Sequence, residues 1–172
     1  MLSQLPEQAD PRRLCEQGKR FEGRVALQDL TRLAPLLTST EGEAAFTLEF
    51  DRDEHGRQRI RGRVQAELQV RCQRCMDAMP LPVDAEFRLS PVSGLLEAEA
   101  LPEAYEPLLL EERLLHPLDL VEDELILAIP PAPRHRAEEC GVDMADYRQA
   151  PEPAEEEREN PFAALARLKR DS

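Results

Sequence analysis

The feature that most constrains this chain is a fourteen-residue alternation of apolar and polar residues, Arg57 to Val70, interrupted at Gln58. Ile60, Val64, Ala66, Leu68 and Val70 fall on one face, with Gly62 in register. Arg57, Arg59, Arg61, Arg63, Gln65, Glu67, Gln69 and Arg71 fall on the other. A period of two belongs to a strand with one face in a core and one in water, and a helix cannot satisfy it. A strand this long needs partners. Glu43 to Asp51 supplies one, because Phe46, Leu48 and Phe50 alternate with Thr47 and Glu49. The run from Asp51 to Gly56 between them reads as a turn, so the pair predicts a long hairpin. Leu81 to Leu89 predicts a further strand with Leu81, Val83, Ala85, Phe87 and Leu89 inward, and Phe21 to Leu27 a short one.

Elsewhere the period changes. Leu27, Leu30, Leu33 and Leu37 stand at helical spacing and predict a short helix ending near Thr38. Leu118, Val121, Leu125 and Ala128 predict another, halted by Pro130-Pro131. Between the last strand and that helix lies a proline-punctuated passage from Pro91 to Pro117. Residues 143–159 are acidic and proline-containing, the composition of a loosely attached segment. Asn160 as N-cap and Pro161 at the first helical position then open a short helix with Phe162, Leu165 and Leu168 on its apolar side. The expected fold is α+β: an antiparallel β-meander or small barrel with a long hairpin, flanked by a few short helices and an acidic C-terminal segment. Residues 1–142 are expected to form a single domain, and residues 143–172 an acidic linker and C-terminal helix.

Charge narrows the function classes. A formal net charge of −13 argues against a protein that simply coats nucleic acid, since phosphate binding needs a basic face. The charge is segregated, however. Arg52 to Arg74 holds seven Arg against three acidic residues, a net +4, whereas Ala137 to Glu159 holds nine acidic residues against two Arg, a net −7. Arg57, Arg59, Arg61 and Arg63 emerge from one strand face roughly 7 Å apart, close to the spacing of successive phosphates along a nucleic-acid strand. A solvated sheet face, with these arginines paired to acids of neighbouring strands such as Glu43 and Glu49, explains the pattern equally. Both readings stand at this point, and Arg71 and Arg74 extend the candidate RNA surface.

The second constellation is Cys72-Gln73-Arg74-Cys75, a C-x-x-C, with His135 and Cys140 as an H-x4-C. Four soft or borderline donors in two halves suit zinc, and a C-x-x-C at a strand end is a common first half of such a site. A thiol redox pair and ordinary unmetallated thiols are the alternatives; the redox motif belongs to a βαβ setting, which this sequence lacks. Cys15 has no partner motif. No nucleophile–base grouping, phosphate-cradling glycine loop or paired-carboxylate arrangement stands out, and adjacent Glu122, Asp123 and Glu124 on a helix point in different directions. The N-terminus lacks the apolar region of a secretory signal, and no apolar run approaches the roughly 18 residues of a membrane span. A soluble, cytoplasmic protein follows, in a compartment where a disulfide framework is not expected.

Taken in order, CQRC at 72–75, SPV at 90–92, EALPEAYEP at 99–107, LVEDELILAIPPAPRH at 120–135, Cys140 and NPFAALARLKR at 160–170 resemble the bacterial YceD family. The family is called large ribosomal RNA subunit accumulation protein. The resemblance implies a role in processing or stable accumulation of 23S ribosomal RNA, with large-subunit ribosomal RNA or a pre-ribosomal particle as partner. It brings no catalytic residues. Cys72, Cys75, His135 and Cys140 match its pattern position by position, while zinc on them is an inference from donor chemistry. The expectation is therefore a non-catalytic ribosome-biogenesis factor touching RNA through Arg57, Arg59, Arg61, Arg63, Arg71 and Arg74. The alternative is an acidic chaperone or adaptor for a basic ribosomal protein, without direct RNA contact.

Overall fold

The long alternation forms a strand of fourteen residues, Gln58–Arg71, at the centre of a five-stranded sheet. In the computed structural model, which describes residues 5–110 and 113–142, the elements run α1 (Pro11–Gln17), β1 (Arg20–Ala26), β2 (Glu43–Arg52), β3 (Gln58–Arg71), β4 (Ala78–Val92), α2 (Leu95–Glu99), β5 (Glu106–Leu109) and α3 (Pro117–Leu127). Spatial order follows chain order. Strands β1 to β4 form an antiparallel meander, and β5 joins β4 in parallel, with Leu89 opposite Glu106 and Val92 opposite Leu109. The sheet is thus mixed and open, not a purely antiparallel meander and not a barrel. Closure would require β1 to pair with β5, but β5 has four residues and contains Pro107, which has no N–H to donate.

One face of the sheet is the core. Ala44, Phe46, Leu48 and Phe50 of β2 and Ile60, Val64, Leu68 and Val70 of β3 are buried, in the phase the alternation predicts. Helix α1 packs on β2 and β3, and α3 on β3 and β4. Phe21 meets Phe50 edge to face at 5.9 Å between ring centroids. Gly62 stands opposite Phe87 of β4, whose ring lies over it, and any Cβ at that position would overlap the ring. Phe87 therefore needs a glycine beneath it.

The region from Leu27 to Leu37 departs from the helical expectation. Two 3₁₀ turns, Leu27–Asp29 and Ala34–Leu36, replace an α-helix, although Leu27, Leu30 and Leu33 are fully buried as their spacing implies. The cause is a distant carboxylate. Glu122 of α3, itself buried, takes the backbone N–H groups of Arg32 at 2.6 Å and Leu33 at 3.0 Å, which a helix would have directed to its own carbonyls. Pro35 removes another donor. The Arg32 guanidinium completes the clasp on Glu122 at 3.0 Å and Asp123 at 2.6 Å. Carboxylates that point apart on the helix thus converge on one arginine.

Helix α1 and strand β5 add to the expected elements. Asp10 caps α1 through the N–H groups of Arg12 and Arg13, Pro11 opens it, and Gly18 closes it in the left-handed conformation. Among the described residues, no helix is long and apolar enough to cross a membrane. The acidic segment and helix expected over residues 143–172 lie outside the described residues.

Candidate metal centre and arginine face

The chain leaves β3 at Arg71 and turns back into β4 at Ala78, and the C-x-x-C occupies that reversal. Met76 donates its N–H to the Cys72 carbonyl and Cys72 donates its own to the Asp77 carbonyl, both at 2.9 Å. Met76 holds φ 67°, a left-handed conformation that favours glycine, so the turn is held at a cost of about 1–2 kcal/mol. Such a knuckle aims both thiols to one side. The second half arrives from the far end of α3. Pro130 and Pro131 end that helix, and the Gln73 N–H donates to the Pro133 carbonyl at 2.8 Å, drawing the following residues against the knuckle.

The result brings Cys72, Cys75, His135 and Cys140 together, with their ligand atoms all within 4.8 Å of one another. Cys75 Sγ and His135 Nδ1 are 3.3 Å apart. Tetrahedral zinc with Zn–S bonds of about 2.3 Å places its sulfur ligands roughly 3.8 Å apart, so closure by about 1 Å completes such a site. Three thiols and one imidazole, on two chain segments sixty residues apart, fit a metal such as zinc.

The surroundings favour thiolate. Burial opposes ionisation of Cys72, but backbone N–H groups of Cys75 and Arg74 and hydrogen bonding from His135 overcome it and bring that thiol down to about 5. Cys140 is likewise lowered against its desolvation, by the Val142 N–H and by Arg74, whose Nε donates to Cys140 Sγ at 2.8 Å. Cys75 moves the other way, to about 11. The Asp77 N–H lowers it, but desolvation and the neighbouring sulfurs outweigh that. Desolvation lowers the His135 pKa, and its hydrogen bonds to Cys72 and Cys140 more than reverse this. The surroundings thus favour the thiolate at Cys72 and Cys140. Arg74 also donates to the carbonyls of His135 at 3.2 Å and Arg136 at 3.4 Å, so it orients both halves of the cluster. Cys15, on the buried side of α1, stands apart, and burial pushes its thiol up to about 11.

The arginine face is built by strand register. Arg59 stands opposite Asp51 and makes a two-pronged contact with it at 2.7 and 2.8 Å. Arg61 stands opposite Glu49 and reaches it at 2.8 Å and Asp51 at 2.9 Å. On the other side Arg63 bonds Asp84 at 2.7 Å and lies 3.5 Å from Glu86. Arg57 closes on Asp53 at 2.9 Å and lies against the Tyr105 ring. Glu49 is thus a partner, as the paired-face reading expects, whereas Glu43 pairs with Arg24 at 3.5 Å. Asp51, Asp53, Asp84 and Glu86 are partners that sequence alone does not single out, because cross-strand register decides them. Among the described residues, Arg71, Arg88, Arg134 and Arg136 are exposed and form no ion pair with a carboxylate. Three of these, Arg71, Arg134 and Arg136, flank the Cys72, Cys75, His135 and Cys140 cluster.

A family model described as large ribosomal RNA subunit accumulation protein YceD matches residues 60–169. A Haemophilus influenzae protein named large ribosomal RNA subunit accumulation protein YceD is 36% identical over 169 residues, covering 96% of each chain. No solved structure matches.

Proposed function

Because this chain belongs to the YceD family, we propose that it is a non-catalytic factor supporting processing or accumulation of 23S ribosomal RNA and hence of the large ribosomal subunit. The observation that carries the proposal is the full-length similarity to a protein bearing that name, which spans both the sheet and the metal cluster. Zinc bound by Cys72, Cys75, His135 and Cys140 serves structure in this reading. It ties the β3–β4 reversal to the segment beyond α3 and leaves no open position for substrate.

RNA contact is assigned to the knuckle end of the sheet. Arg57, Arg59, Arg61 and Arg63 are held by carboxylates, so a phosphate must displace an acid to reach them. Arg71, Arg134 and Arg136 carry no such competitor among the described residues and sit beside Arg74. The test is filter binding of the full chain to 23S ribosomal RNA fragments across a salt series, with crosslinking in cells. Binding is expected to weaken steeply with salt. Arg71→Ala, Arg134→Ala and Arg136→Ala together are expected to lower the log–log salt slope by roughly 2–3, and Arg59→Ala to change it by less. Absent or salt-insensitive binding overturns direct contact.

A further inference from the structure

We propose that the Cys72, Cys75, His135 and Cys140 centre controls the RNA-facing arginines: metal held there fastens residues 131–142 to the β3–β4 reversal, and its release frees Arg134 and Arg136 and weakens RNA binding. The inference deepens the proposed function, resting on its assignment of a metal to these four donors and of RNA contact to the knuckle end.

Each arginine of that contact surface is a chain neighbour of a metal donor. Arg71 precedes Cys72, and Arg134 and Arg136 bracket His135. Their anchoring differs. Arg71 ends β3 and is paired across the sheet with Ala78 of β4, so the ladder fixes it. Arg134 and Arg136 stand beyond α3, in a stretch whose one regular element is the 3₁₀ turn Ala137–Glu139. Within residues 131–142 only Pro133 is buried, and along the chain the hydrophobic core, with the side chains packed on it, ends at Ile129.

The hydrogen bonds that tie this stretch to the rest of the described chain are few, and they converge on the reversal. The Gln73 N–H donates to the Pro133 carbonyl at 2.8 Å. Arg74 donates to the carbonyls of His135 and Arg136 at 3.2 and 3.4 Å and to Cys140 Sγ at 2.8 Å, and Cys75 Sγ meets His135 Nδ1 at 3.3 Å. A segment that buries so little surface does not offset the conformational entropy of being held in one place. His135 and Cys140 are donors from this segment and Cys72 and Cys75 are donors from the reversal, so a metal shared by all four closes the contact with two bonds on each side. RNA that meets the closed arrangement finds three exposed arginines already in place. With the fastening gone it finds Arg71 and must order the other two itself. By linkage the effect runs both ways, so bound RNA tightens the hold on metal by the same factor.

The experiment compares the full chain loaded with zinc and the same chain stripped by a chelator, kept reduced and desalted before 23S ribosomal RNA fragments are added. The metal-free chain is expected to bind RNA about tenfold more weakly, with a log–log salt slope lower by roughly 2. Competition with a chromophoric chelator should show zinc held about tenfold tighter when RNA is present. Arg134→Ala with Arg136→Ala should remove the coupling, so that stripping the metal changes RNA affinity less than twofold. Hydrogen exchange reads the release directly: the Gln73 amide should exchange faster in the metal-free chain while Ile60 and Val64, in the middle of the sheet, keep their protection. Equal RNA affinity of the loaded and metal-free chains overturns the inference alone. So does an undiminished effect of metal in the double variant, or loss of protection at Ile60 and Val64 together with Gln73, since metal would then support the whole sheet and not this segment. A chain that takes up no zinc, or a loaded chain that does not bind the RNA, refutes the metal or RNA assignment itself and the coupling with it.

Discussion

Replacing Glu122 by Ala tests how the fold holds the loop between β1 and β2. The carboxylate accepts from Arg32 N at 2.6 Å, Leu33 N at 3.0 Å and Arg32 Nε at 3.0 Å. Leu33 is fully buried, so its N–H finds no water once the acceptor is gone, which costs about 1–3 kcal/mol. The Arg32 N–H adds about 1 kcal/mol, being partly accessible. The guanidinium adds little, since Arg32 is 48% exposed and keeps Asp123. A loss of about 3 kcal/mol is expected, at the lower end of what breaking a buried pair costs and a large share of a typical domain's stability. Glu122→Gln keeps an oxygen for both N–H groups and should cost about 1 kcal/mol. The assay is urea unfolding at saturating zinc, where about 3 kcal/mol lowers the midpoint by about 1–2 M at unchanged slope. Hydrogen exchange at the Leu33 amide should accelerate in the Ala variant and not in the Gln variant. The reasoning is refuted if Glu122→Ala stays within about 1 kcal/mol of wild type, or if Glu122→Gln costs as much as Glu122→Ala.

Metal analysis of chain purified without chelator should return one zinc per chain, and its removal should lower the melting temperature; Cys72→Ser should abolish stoichiometric zinc, and retention of full zinc would contradict a four-ligand site. Gly62→Ala should destabilise by about 1–3 kcal/mol by forcing the Phe87 ring aside, and shortening the ring with Phe87→Leu should recover part of that loss. The Arg63 guanidinium, with Gln65, holds the Asp84 carboxyl down to about 2. Its folded value is thus below its unfolded one, so its stabilisation is present above about pH 4 and fades as pH falls toward 2. The melting-temperature difference between wild type and Asp84→Asn should therefore shrink over that window, and a constant difference would show that the carboxylate's charge contributes nothing.

Local pattern made several elements legible. The two-residue period of β3 survives any tertiary arrangement, because a register error would expose Ile60, Val64, Leu68 and Val70 together. The same period located β2 and β4 and which side of each is buried. Signals for α1 were also present in Asp10, Pro11 and Gly18, a cap, an opening and a stop around a single helical stretch. The region from Leu27 to Leu37 shows where such reading fails. Its leucine spacing correctly marks which residues are buried, but not the backbone that buries them, since Glu122 lies some ninety residues away. Parallel β5 was equally illegible: four residues with Pro107 among them carry no period, and their pairing with β4 is non-local.

For the functional sites the division is similar. The donor chemistry of Cys72, Cys75, His135 and Cys140 is written in the sequence, because only those residue types offer soft ligands at those spacings. Their convergence within 4.8 Å depends on α3 delivering its C-terminal extension to the β3–β4 turn. The arginines show the opposite balance. Period two places Arg59, Arg61 and Arg63 on one face regardless of context. Whether they are free to meet a phosphate depends on which residues stand across from them, and register placed Asp51 and Glu49 there on one side and Glu86, with Asp84 diagonally, on the other. What the alternation determined by itself was a strand with a charged face. Only tertiary pairing decided that this charge is neutralised along β3 and, among the described residues, left without a carboxylate partner around the knuckle, because electrostatic partners are chosen by distance in space and not by distance along the chain.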